Sequence, residues 1–154
     1  MAKPKYISRT EALLKLQRFC AYQERSHQEV RSKLLSLGIF GDDLETIMAE
    51  LVEGGFLNEE RFARTFARGK FRIKQWGKIR ITQELKRRQI SAYCIKKALE
   101  EIETEAYHAT LRELLQKKEA QLQADLPPQR RIKLLRYALQ KGYEPELIYN
   151  VLGE

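Results

Sequence analysis

Apolar residues recur at helical spacing along almost the whole chain, and short polar boxes mark where each run begins. Ser8 with Glu11, Ser26 with Glu29 and Asp42 with Glu45 each set an oxygen acceptor three residues before an acid. That arrangement satisfies the free amides of a first helical turn, so the first region divides into three helices. Ala12, Leu16, Phe19 and Cys20 share one face of the first helix. Val30, Leu34 and Leu37 do so in the second, which Gly38 stops; Leu44, Ile47, Met48 and Leu51 do so in the third, closed by Gly54 and Gly55.

The same order of events then recurs. Asn58 is placed to cap a helix whose first turn carries Glu59 and Glu60, with Leu57 and Phe62 forming a hydrophobic staple across the start. Phe62, Phe66, Gly69 and Ile73 make the predicted inward face, and Arg61, Arg64, Arg68 and Arg72 a basic stripe on another. Gly77 breaks this helix. A second helix carries Ile81 and Leu85, and a third begins at Ser91 with Ile95, Ala98, Leu99 and Ile102 inward. The local alternation KFRIK has no second strand to pair with and is assigned to the helix pattern.

A shift of 51 residues superposes Val30, Leu34, Ile39, Leu44 and Leu51 on Ile81, Leu85, Ile90, Ile95 and Ile102. A further shift of 53 brings Ile81, Leu85, Ile90, Ile95 and Leu99 onto Leu134, Ala138, Tyr143, Ile148 and Leu152. The third copy opens on a longer helix from Thr104 to about Gln123, with Tyr107, Leu111, Leu114, Leu115 and Leu122 inward, and Pro127 and Pro145 start its other two. The expected fold is all-α: three tandem three-helix repeats, 1–55, 56–103 and 104–154, stacked into an elongated, curved array.

Charge changes the picture at one place. From Arg68 to Arg88 nine Lys or Arg face a single acid, Glu84, a local +8 that equals the charge of the whole chain; the remaining 20 cations and 20 acids cancel. An excess confined to one segment makes a local field for a polyanion or an acidic protein surface. Candidate contact residues are Arg64, Arg68, Lys70, Arg72, Lys74, Lys78, Arg80, Lys86, Arg87 and Arg88. The stripe of Arg61, Arg64, Arg68 and Arg72 by itself reads as a solvated helix face, and the regional excess of +8 reverses that preference. Trp76, among these cations, suits base stacking, but a packing anchor between two amphipathic helices is the preferred reading.

Other chemistry is thinly represented. His27 and His108 fall in different repeats with no partner at a motif spacing, and no phosphate-cradling G-x-x-x-x-G-K-[ST] loop occurs. Cys20 and Cys94 lie on apolar faces without CxxC spacing and read as buried thiols. Glu100, Glu101 and Glu103 read as solvated surface. No enzyme activity, cofactor or metal is expected. No apolar run reaches a membrane-spanning length and the first ten residues lack a signal-peptide core, so the expectation is a cytoplasmic protein with no membrane partner.

NEERFARTFARGKF, WGKIRITQELKRRQIS and IKLLRYALQKGYEPELIYNVL resemble the three successive signatures of the RecX regulatory proteins, in order and spacing, over nearly the whole chain. Asn58 stands where that family commonly has an acid, and Trp76–Gly77 where a Gly-x-Gly-Pro-like turn is frequent. The resemblance implies an all-helical modulator of the bacterial recombinase RecA. Such proteins lie in the groove of the recombinase filament on single-stranded DNA and inhibit strand exchange and the coupled ATP hydrolysis. The expected partners are that filament and, weakly and without sequence preference, single-stranded DNA, with the protein itself a monomer. The alternative is a general nucleic-acid-binding module of helix-turn-helix type. Its would-be recognition helix, AYCIKKALEEI, offers only Lys96 and Lys97 before a run of acids, which disfavours specific duplex reading.

Overall fold

The structure is a computed structural model that describes residues 7–153; of the first ten residues, on which the leader expectation rests, the first six lie outside them. Nine α-helices are present among the described residues: α1 (Arg9–Tyr22), α2 (His27–Ser36), α3 (Gly41–Glu53), α4 (Glu59–Gly69), α5 (Lys78–Arg87), α6 (Ala92–Leu99), α7 (Thr104–Gln121), α8 (Pro127–Lys141) and α9 (Pro145–Leu152). A π turn, Lys70–Lys74, extends α4, and no strand occurs among the described residues. The chain is thus an all-α helical repeat, as the apolar periodicity predicts.

Local chemistry explains most of the boundaries. The Ser8 hydroxyl accepts from the Glu11 amide at 3.1 Å, and Ser26 with Glu29 forms a complete capping box with bonds of 3.1 and 3.2 Å. Asn58 and Ser91 cap α4 and α6 through the amides of Arg61 and Cys94. A proline occupies the first turn of both α8 and α9. The predicted cap at Asp42 is not formed. Phe40 is the N-cap of α3 and makes no side-chain bond, so Asp42 is the second residue of the helix, two positions past the cap. It still faces the free amides of the first turn together with Asp43.

The three repeats bury matching positions. Val30, Ile81 and Leu134 are buried, as are Leu34, Leu85 and Ala138, then Ile39, Ile90 and Tyr143, then Leu44, Ile95 and Ile148. The cores they build differ in extent. Residues from Ala12 to Leu57 enclose one core, while a second runs without interruption from Phe62 to Ile148 through α4–α9. The proposed Leu57–Phe62 staple is therefore corrected: Leu57 closes the first core and Phe62 opens the second.

The long helix also departs from its predicted face. Ile73 is not inward; it is 80% exposed, and Phe71 is buried in its place. The inward face of α4 is centred on Ala63 and Ala67, both fully buried, so Phe62 and Phe66 lie toward its edge. The wider π turn then carries Ile73 beyond that edge. Both the Gln75 and the Trp76 amides donate to the Lys70 carbonyl, and Gln75 ends the turn in the left-handed region at φ 58°. Gly77 does not itself end the helix; it is the N-cap of α5.

Gly77 has a different task. Its amide donates to the Lys141 carbonyl at 2.7 Å, and the Ile79 amide donates to the Gly142 carbonyl at 2.9 Å. A Cβ at Gly77 would lie 2.3 Å from the Gly142 carbonyl carbon, well inside contact distance, so the two backbones meet only because residue 77 has no side chain. The Lys78 amide donates to the Tyr107 hydroxyl, which itself donates to the Glu144 carboxylate, and the Tyr143 hydroxyl donates to the Gln75 carbonyl. The Tyr107 and Tyr143 rings stack with centroids 5.0 Å apart. The last two repeats are joined by main chain as well as by core.

A candidate interaction surface on the second repeat

The ten candidate residues fall into three groups. Arg64, Arg68, Arg87 and Arg88 are tied to acids of their own chain. Arg64 bonds Glu60 and Glu101 at 3.1 Å each, and these bonds raise its already high pKa; Arg68 reaches Glu101 at 3.5 Å. Arg87 and Arg88 share Glu84 at 3.3 and 3.1 Å, and the Arg88 guanidinium also lies 4.8 Å from the centroid of Phe66. Much of the charge of these four is spent in fastening α4 to α6 and in closing the last turn of α5.

Lys70, Lys78 and Arg80 lie against rings. Lys70 and Arg80 flank Trp76 at 5.0 and 4.3 Å, and Lys78 lies 4.9 Å from the centroid of Tyr107. Trp76 is half-buried, packs on the second core and meets Phe66 edge-on at 6.3 Å. The packing-anchor reading of Trp76 therefore fits its place, with two cations already set against the ring. Arg80 additionally donates to the Gln140 carbonyl.

Arg72, Lys74 and Lys86 remain. All three are exposed, and among the described residues no carboxylate pairs with them. Arg72 and Lys74 stand on either side of Ile73 on the π turn. The turn is held from the third repeat: the Lys141 ammonium donates to the Lys74 carbonyl at 3.1 Å and lies 6.0 Å from the Tyr137 ring. Lys141 belongs with the candidate surface although the sequence reading had not placed it there; its only local signal is a cation in the last turn of a helix.

Among the described residues no group of three or more His, Cys, Asp or Glu is placed to hold a metal ion. A cleft of about 760 Å³ lies between the α1–α2 connection and α4–α5 and mixes Glu24, Glu29 and Glu84 with Lys70, Arg87 and Arg88 around Thr65 and Phe66. His108 stands beside Tyr107, and His27 opens α2. Cys20 and Cys94 are buried free thiols, and burial pushes both above the ordinary thiol pKa, away from the reactive thiolate. On α6, Lys97 reaches Glu100 at 3.8 Å, leaving Lys96 and Tyr93 outward, a sparse surface for reading base edges. No helix among the described residues is long and apolar enough to cross a membrane.

The fold and this surface define a class: a tandem three-helix repeat protein whose middle unit presents unpaired cations on a fixed platform. The chain belongs to the RecX family of regulatory proteins. Residues 58–99 match the family profile described as "RecX, second three-helix domain", and residues 105–152 match "RecX, third three-helix domain". The regulatory protein RecX of Salmonella paratyphi A is 30% identical over 137 residues, covering 82% of this chain and 80% of that one. The regulatory protein RecX of Prosthecochloris aestuarii is 28% identical over 138 residues, covering 88% and 87%. In three dimensions the chain matches the crystal structure of RecX from Lactobacillus salivarius with a TM-score of 0.85 at 21% identity, over 94% of each chain.

Proposed function

We propose that this protein binds the RecA recombinase filament assembled on single-stranded DNA and inhibits its strand exchange and ATP hydrolysis. It acts as a cytoplasmic monomer with no catalytic activity of its own, lying along the filament as an elongated, curved array of units 1–55, 56–103 and 104–154. The carrying observation is the basic middle unit of a RecX-family chain, where Arg72, Lys74 and Lys86 are exposed with no acidic partner among the described residues, while Arg64, Arg68, Arg87 and Arg88 are paired with acids. Several modest contacts distributed along three units combine into tight attachment, because once one unit is bound the next faces a high effective concentration of sites. Unpaired cations add steering toward an acidic, DNA-containing assembly.

The test is a triple reversal, Arg72→Glu, Lys74→Glu and Lys86→Glu. Arg68 is left alone because its reversal would set a carboxylate against Glu101 and confound folding with binding. Each exposed substitution should shift stability by no more than about 0.5 kcal/mol. Inhibition of recombinase ATP hydrolysis on single-stranded DNA should fall sharply, and the loss should be larger at low salt than at high salt. A folded triple variant that inhibits as well as the parent would reduce the basic segment to a solvated face.

A further inference from the structure

Ile73 is the one large aliphatic side chain of the second repeat that the fold turns fully outward, at 80% exposure. It sits at the centre of a run, residues 61–83, that holds eight cations and no acid. Straight α-helical spacing would have kept it near Phe62 and Phe66; the π turn is what displaces it. π turns are rare and often sit at functional sites; this one closes the C-terminal end of α4 rather than interrupting it. Here the turn also costs a left-handed Gln75.

The knob is rigidly mounted. Behind it, Phe71 is buried in the core. Beside it, the Lys74 carbonyl is held by Lys141, the Gln75 carbonyl by Tyr143 and the Gly77 amide by Lys141. An apolar side chain presented on a fixed backbone loses little freedom on binding, which is the property of an interface anchor. Its flanking cations, Arg72 and Lys74, are paired with no acid among the described residues.

Resting on the function proposed above, we propose that Ile73 is the anchor of the contact with the partner protein, and that it inserts into an apolar pocket rimmed by carboxylates on the protein surface of the filament. Protein is favoured over DNA because phosphates and sugars offer an aliphatic side chain no apolar cavity. A hydrophobic wedge between bases is the other use of such a residue, and it is separable by experiment.

The experiment measures binding of parent, Ile73→Ser and Ile73→Asp to two targets: recombinase-coated single-stranded DNA and the same DNA naked. Both variants should keep the parent's helical circular dichroism and melting temperature, because the side chain is almost wholly in solvent. Removing an anchor should weaken filament binding about tenfold, more for Asp because it also opposes the acidic rim, while binding to naked DNA stays within about twofold. Unchanged filament binding by Ile73→Asp overturns the anchor and leaves the proposed function standing. An equal loss on naked DNA overturns it in favour of a base wedge. If the parent itself does not bind the coated DNA, the function proposed above fails, and the anchor with it.

Discussion

Leu34 and Leu85 occupy equivalent places in the first and second repeats, each fully buried on the second helix of its unit, yet they belong to cores of different extent. Leu34 lies in a core that ends at Leu57. Leu85 lies in one that continues through α9. Between the first core and the second, Arg61 makes a polar tie, pairing with Glu24 at 2.5 Å and donating to the Gly55 carbonyl at 2.8 Å. Between the second and third, two backbone bonds, two tyrosine hydroxyls and a glycine contact close the joint. Equal repeats in sequence therefore do not make equal mechanical units. A joint built of exchanged backbone bonds behaves as part of a core, whereas one built on a half-exposed ion pair contributes little.

The largest effect that tests this contrast is a pair of core truncations. Leu34→Ala and Leu85→Ala should each cost about 2–5 kcal/mol in the unit affected. Hydrogen exchange followed along the chain should show Leu34→Ala loosening α1–α3 alone, and Leu85→Ala loosening α4–α9 together. Uniform loss of protection in both variants would mean that the two cores unfold as one.

Alkaline pH should separate the same regions without a mutation. Burial, and for Tyr107 also the bond to Glu144, raises both the Tyr107 and the Tyr143 pKa well above the ordinary 10; the Glu144 charge adds to the shift at Tyr143. A hydroxyl whose folded pKa is raised keeps its full contribution below pH 10 and loses it as pH rises above that. The unfolded chain then releases a proton that the folded chain retains. The loss is about 1.4 kcal/mol per pH unit for each tyrosine. Both tyrosines belong to the second core and neither to the first. Exchange measured between pH 10 and 11.5 should therefore weaken α4–α9 more steeply than α1–α3.

The smallest effect concerns the repeat itself. Gly38, Gln89 and Gly142 are equivalent under the 51- and 53-residue shifts, and all three are left-handed, with φ of 81°, 61° and 101°. Only Gln89 carries a Cβ there. Gln89→Gly should stabilise the second repeat by about 0.5–1 kcal/mol, the relief of a left-handed L-residue less the extra freedom glycine gives the unfolded chain. A lower melting temperature would show that the Gln89 side chain contributes more than its strain costs.

The repeat was legible because burial at Val30, Ile81 and Leu134 is a periodic, local property that each helix writes into its own sequence. Ile73 was misread for two physical reasons. The inward face of α4 is built on Ala63 and Ala67, whose small side chains carry little weight beside Phe62 and Phe66, and a π turn leaves no mark in apolar spacing. On the surface, the charge excess was visible but its compensation was not. Glu101 lies 37 residues from Arg64 and 33 from Arg68, and only the packing of α4 on α6 brings them together. Lys141 was out of reach for the same reason, since the Lys74 carbonyl it holds is 67 residues away.

The joint at Gly77 also sets an order of events during synthesis. The first unit has every residue of its core once Leu57 has left the ribosome, and it can fold while the rest is still being made. The second cannot close at that stage. Its Gly77 and Ile79 backbone bonds wait for Lys141 and Gly142, and the Lys78 amide waits for Tyr107. Between the emergence of Leu57 and that of Lys141 and Gly142, the nascent chain thus carries one completed core followed by a basic, partly apolar segment with its bonding partners still missing. That segment is the stretch a chaperone or a stalled ribosome would meet first.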